Sequence, residues 1–282
     1  MTIGGDRERG TNYRHSPGGN VVITPPLGLR VPRQPVIDRN DVLTRLLPAA
    51  PQRYRAIIAT AAGTGMRWGE VTGLCADALD LDGETVKVIR TVVEVNGQTA
   101  FKLYPKSGAG RRTIPLPDWL LPILRGHITH YRPGRAGLVF PNQVGTPLRR
   151  TLFRSRIWRP TLVRSGFLGA VTELNPPEID PSTGKLHCFR AGWTLDTGDP
   201  VTATFHTRAQ AIRHVVRNAG EALRFHGLRH SYATWRVDDE VPPNMVQRVM
   251  GHEHVSHPAA LRATHRASRP NQKGARRQPP PY

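Results

Sequence analysis

The sequence predicts a mixed α+β fold, mostly helical, with one three-stranded antiparallel sheet and a small ββα insert. Three observations carry this. Apolar residues recur at helical period in "DRNDVLTRLLPA" and "QRYRAIIATAAGTGMRWGEVTGL". Apolar and polar residues alternate on both sides of Asn96-Gly97, a dipeptide suited to a two-residue hairpin turn. A later strand-turn-strand pattern runs into a capped helix, "TRAQAIRHVVRNAG", with Thr207 and Gln210 as its capping box.

Taken in order, residues 1–37 read as an extended basic arm rich in Pro, Gly and Arg, and order begins at Asp38. The first helix is short. The second ends at the Gly63–Gly65 break, and a third starts near Met66. The hairpin follows, and "RRTIPLP" supplies a third strand after the loop "PKSGAG", which places Lys106 at the tip of the sheet. Beyond it lie a helix over 118–130, the strand-like "GLVFPN", and the basic helix "RRTLFRSRIWRPTLVRSG". Trp158 and Leu162 take its buried side, so Arg149, Arg150, Arg154, Arg156, Arg159 and Arg164 face outward as candidate phosphate contacts. Residues 167–222 form the insert, read from "KLHCFRAGWTL", "VTATFH" and the capped helix. Residues 267–282 read as a disordered basic tail.

Charge narrows the function. The 282 residues hold 40 Lys+Arg against 21 Asp+Glu, a formal net charge of +19, which points to a polyanionic partner. Only five of the basic residues are Lys; guanidinium grips phosphate oxygens in bidentate geometry, so nucleic acid ranks ahead of a membrane surface. No stretch approaches the roughly 18 apolar residues of a membrane span. The N-terminus lacks a secretory h-region, and Cys75 and Cys188 are too few for a disulfide framework, which together predict a cytoplasmic protein with reduced thiols.

Four separated motifs then line up. "GTGMRWGEVTGL" carries Arg67 and Glu70, "YPKSGAGRRTIPLP" carries Lys106, "FHGLRHSYATW" carries His226 and Arg229, and "VMGHEH" carries His252. In this order the series resembles the catalytic domain of tyrosine recombinases, the phage integrase family, over residues 38–266 less the insert. The resemblance implies a DNA breaking-rejoining fold, double-stranded DNA as partner, and neither metal nor other cofactor. It also implies a homo-oligomer on DNA, since members usually work as tetramers. By the same resemblance Arg67 and Arg229 hold the non-bridging oxygens of one phosphate, Lys106 protonates the departing 5′-oxygen, His226 accepts the nucleophile's proton, and His252 donates to a phosphoryl oxygen. Glu70 orients Arg67. His226 and Arg229, three apart, share one helix face.

Two departures qualify that expectation. The family's tyrosine follows the "GH" histidine inside a string like "LYTHR"; here "GHEHVSHPAALRATHR" puts Arg262 or Ala263 there, and neither can form a phosphotyrosine. Impaired catalysis is therefore expected. The resemblance also implies a helical core-binding domain ahead of residue 38, where the sequence offers only the arm, so residues 1–37 are expected to be its remnant.

Other readings remain. A DNA-binding remnant that never cuts is one, and a metal-dependent hydrolase ligating zinc through His252, His254 and His257 is another. Pro258 and the lack of a nearby carboxylate other than Glu253 weigh against the hydrolase. The insert is either a packing elaboration or an arm-type DNA-binding unit offering Lys185, Arg190 and Arg208.

Overall fold

A computed structural model describes residues 35–103, 111–220 and 223–251. Most of the arm, the basic tail, Lys106, His252, His254, His257, Arg262 and Ala263 lie outside the described residues.

The described chain begins against a helix far away in sequence. Ile37 donates its backbone N–H to Ser231 and accepts from the Trp235 indole, both at 3.0 Å. Asp38 then caps α1 (Arg39–Asp41), which continues through a π-turn (Val42–Leu46) into α2 (Leu47–Ala49). Helix α3 (Gln52–Thr64) is buried along most of its length; its small residues Ala56, Ala59, Ala61 and Ala62 let neighbouring elements pack closely. It stops at Gly65, whose φ of +63° suits glycine and where a Cβ would sit 2.5 Å from the Tyr232 ring. The chain turns there into α4 (Trp68–Thr72), as the Gly63–Gly65 break predicted.

The three-stranded antiparallel sheet is present, but its members differ from those expected. Strands β1 (Leu79–Asp80) and β2 (Thr85–Val88) come first in the chain, and β5 (Arg112–Pro115) pairs with β2 to give the order β1-β2-β5. The hairpin β3 (Arg90–Val95) and β4 (Gln98–Leu103) stands as its own two-stranded ladder, turned at Asn96 (φ 49°) and Gly97 (φ 74°). Burial accounts for the choice. Pairing with β2 sets Ile114 opposite Val86, and both are fully buried, whereas the hairpin leaves Val93 and Val95 exposed.

Helix α5 (Leu121–His130) follows a 3₁₀ turn at Asp118–Leu120. The strand expected in "GLVFPN" is replaced by single bridges, Cys75 to Leu138 and Pro141 to Pro147, because two prolines remove the donors a ladder needs. The basic helix is continuous but not uniform: α6 (Arg150–Phe153), a π-turn (Arg154–Trp158), and α7 (Arg159–Arg164), with Trp158 and Leu162 buried as predicted.

The insert has three strands rather than two. Strand β6 (Ala170–Ile179) precedes β7 (Leu186–Thr194), β8 (Pro200–Phe205) and α8 (Arg208–Asn218), and the sheet order is β6-β7-β8. Pro176 and Pro177 hid β6 from the sequence reading. They fall where the register shifts between Glu173 and Glu178, on an edge strand, so no ladder bond is lost. Ala191, Trp193, Ala211 and Val215 of the insert join the same buried cluster as Trp158 and Leu162. Helices α9 (Gly227–Asp238) and α10 (Pro243–Met250) complete the described chain.

Candidate functional site

Arg67, at the N-cap of α4, and Arg229, on the first turn of α9, come from segments far apart in sequence, and both reach the C-terminus of α10. Arg229 is 3% exposed and donates to Gly65 O and Met250 O, each at 2.6 Å. Arg67 donates to Gly251 O at 3.1 Å and to Glu70 Oε1 at 3.0 Å. A third guanidinium, that of Arg112 on β5, donates through Nε to Val249 O. Three consecutive carbonyls, at 249, 250 and 251, thus each receive one arginine, where a helix end carries partial negative charge and its last carbonyls lack intrahelical partners. His252 follows directly after Gly251, whose φ of 67° ends α10.

Glu70 ties the arginines together. It is 4% exposed and accepts from Arg112 Nη1 and Nη2 at 3.1 and 2.8 Å, from Arg67 Nη1, and from the Arg67 backbone N–H at 2.8 Å. Burial alone pushes its carboxyl upward, but the hydrogen bonds and charge of Arg112, with those of Arg67, outweigh burial and hold it below the usual carboxylate range. So it stays ionised. The Arg229 guanidinium is pulled down to about 10, first by burial and then by the charge of Arg67, yet it is cationic at neutral pH.

His226 sits at the N-cap of α9, exposed, with its ring 5.1 Å from that of His230. Its pKa falls to about 4, chiefly through partial desolvation, then through the charges of His230, Arg229, Arg67 and Arg150. It is a neutral base at pH 7.

The sequence reading missed Arg112 and did not place Arg150 beside His226. A signal for Arg112 existed: it stands two residues before Ile114 on β5, so strand period aims it at the buried face. Nothing in local pattern pairs it with Glu70, 42 residues earlier.

Of the arginines expected to face outward, Arg149, Arg150, Arg154, Arg156 and Arg164 are exposed. Arg149 lies against the hairpin turn and pairs with Glu94 at 3.4 Å. Arg159 departs from the expectation: its guanidinium turns inward to Val216 O at 2.9 Å and Ala219 O at 2.8 Å, anchoring the end of α8. In the insert Arg190 pairs with Glu178, and Lys185 and Arg208 are exposed. Among the described residues no helix is long and apolar enough to cross a membrane, and no cluster of three His, Cys, Asp or Glu side chains is placed to hold a metal.

Comparison with known proteins gives a consistent answer. Residues 201–262 match the model of the phage integrase family. The chain is 40% identical over 190 residues to the prophage phiRv2 integrase of Mycobacterium tuberculosis, covering 66% of this chain and 45% of that protein. It is 25% identical over 215 residues to a XerC-like tyrosine recombinase of Caldanaerobacter subterraneus, covering 72% and 44%. The chain thus spans less than half the length of these curated relatives. In fold it is similar to the Tn1549 transposon integrase, solved in complex with a circular intermediate DNA (TM-score 0.52, 16% identity, covering 85% of this chain and 67% of that one). It is also similar to XerA recombinase (TM-score 0.50, 15% identity, the same coverage). Motif order, fold and sequence similarity agree, and the chain belongs to the phage integrase family of tyrosine recombinases.

Proposed function

We propose that the chain is the DNA-acting part of a site-specific recombinase, binding duplex DNA inside the cell as an oligomer and gathering one phosphodiester on Arg67, His226 and Arg229. One observation carries the reading. Arg67, Arg150 and Arg229 lie close enough to His226 that their charges add to its partial desolvation in lowering its pKa, while three guanidiniums converge on the end of α10 and the carboxylate of Glu70 is shared by Arg67 and Arg112. An oxyanion would relieve that repulsion, and charge growing on phosphorus during displacement would relieve it further. In this scheme Arg67 and Arg229 neutralise the non-bridging oxygens. His226, neutral at pH 7, accepts a proton. Lys106 and His252 take the roles the family resemblance implies.

The nucleophile is the weak point. With Arg262 and Ala263 at the aligned positions, preorganised charge has no hydroxyl to act on, so the chain binds DNA without forming a covalent adduct. The test is a nicked duplex that traps phosphotyrosine. The unmodified chain is expected to give no adduct, Ala263→Tyr a trace, and Arg262→Tyr serves as the register control. An adduct from the unmodified chain overturns the impairment. Absence of salt-sensitive duplex binding overturns the DNA reading itself.

A further inference from the structure

A cavity of about 570 Å³ opens beside His226, in the size range of small-ligand sites. Its floor is rigid. Phe153 and Trp158 are 3% and 2% exposed, and the Trp158 indole donates to Leu223 O at 2.8 Å. Its walls are Trp68 and Phe225, both half-buried, crossing edge-to-face at 5.1 Å. Around the mouth stand Arg150, Arg154 and His230, and among the described residues no acidic side chain lines the cavity. A cavity that only filled the core would not place partly exposed aromatic rings under a cationic rim. Among polyanions, nucleic acid supplies both a phosphate and a planar ring within the reach of one nucleotide, and aromatic walls with basic rims are how single-stranded nucleic acid is held.

We propose that this cavity receives a nucleobase unstacked from the duplex, next to the phosphate gathered by His226, Arg67 and Arg229. The inference rests on the DNA reading above. His226 belongs to both sites, so the base entering the cavity is that of a nucleotide adjoining the held phosphate. The cavity stabilises that base against its aromatic walls, Trp68 and Phe225.

The test uses the full chain and three duplexes of one sequence: fully paired, carrying a single unpaired adenine, and carrying an abasic residue at the same position. The unpaired adenine is expected to bind roughly tenfold or more tighter than either of the others. The abasic duplex separates stacking from mere flexibility without any mutation. Phe225→Leu and Trp68→Leu should each cut the preference about fivefold and leave affinity for the paired duplex nearly unchanged; an unaltered preference in both overturns the stacking. Equal binding of all three duplexes overturns the cavity assignment while leaving duplex binding intact, as does equal tightening by the adenine and abasic duplexes. Failure to bind any of them at low salt overturns the DNA reading and this inference with it.

Discussion

Two groups of arginines in this molecule do opposite things with the same side chain. Arg112 and Arg229 are buried, and their donors go to carbonyls at the end of α10, with Gly65 O for Arg229 and Glu70 for Arg112. Arg150, Arg154, Arg156 and Arg164, on the basic helix, point to solvent. In the first group the low-dielectric setting strengthens each interaction and makes the loss of any partner costly. In the second, screening leaves little contribution to stability and a large one to attraction of a polyanion. Arg159 shows that sequence proximity does not decide membership, since it lies on the basic helix yet holds the end of α8.

The sharpest way to break the comparison is Arg112→Met. It takes the two Arg112 donors from the buried Glu70 carboxylate and leaves only those of Arg67, and a loss of about 3 kcal/mol is expected in urea unfolding. A loss near zero would place Arg112 with the surface group. Arg112→Lys should fall between, because an ammonium lacks the planar fork that meets both Glu70 oxygens while Nε donates to Val249 O.

The next effect is on ligand recognition. Arg229→Lys keeps the charge but loses the fork spanning Gly65 O and Met250 O. Affinity for a vanadate mimic of the phosphorane on nicked DNA should drop about tenfold or more, with plain duplex binding nearly unchanged. Equal losses on both ligands would make Arg229 an ordinary backbone contact.

A smaller effect concerns pH. His226 has a folded pKa of about 4, below its ordinary value of 6.5, and His127 and His230 are lowered in the same direction, each chiefly by burial. Between those values the unfolded chain binds more protons than the folded one. Stability is therefore complete above pH 6.5 and declines as pH falls toward 4, read as a falling urea midpoint. In NMR titration Arg150→Ala should move the His226 pKa upward; no movement would separate Arg150 from the site.

The smallest effects belong to the surface group. Arg154→Ala and Arg156→Ala should each change stability by no more than about 0.5 kcal/mol. Each should reduce the dependence of duplex affinity on salt by about 0.9 in log-log slope. A destabilisation as large as that of Arg112→Met would erase the distinction between the two groups.

Much of this was legible in residues alone. Alternation about Asn96-Gly97 located the hairpin, and the Gly63–Gly65 break located the turn into Arg67, because both depend on local backbone chemistry. The three-apart spacing of His226 and Arg229 put them on the first turn of α9. The partner of β5 was not legible, since strands β2 and β3 both precede it and alternate alike; burial of Ile114 against Val86 chose between them. Strand β6 was masked by Pro176 and Pro177, which break a strand only where the ladder needs their N–H groups.

By itself the sequence determined the charge, the order of the motifs, the local elements, and the absence of tyrosine at 262 and 263. Each is a property of single residues or of neighbours along the chain. Only the tertiary structure decided which arginines are buried, that Glu70 is shared with Arg112 as well as Arg67, and that three successive carbonyls at the end of α10 each receive a guanidinium. Those are contacts across 21 to 184 residues of chain. They exist because buried charges must find partners once water is excluded, and local patterning does not specify which distant residue the packed core will bring to them.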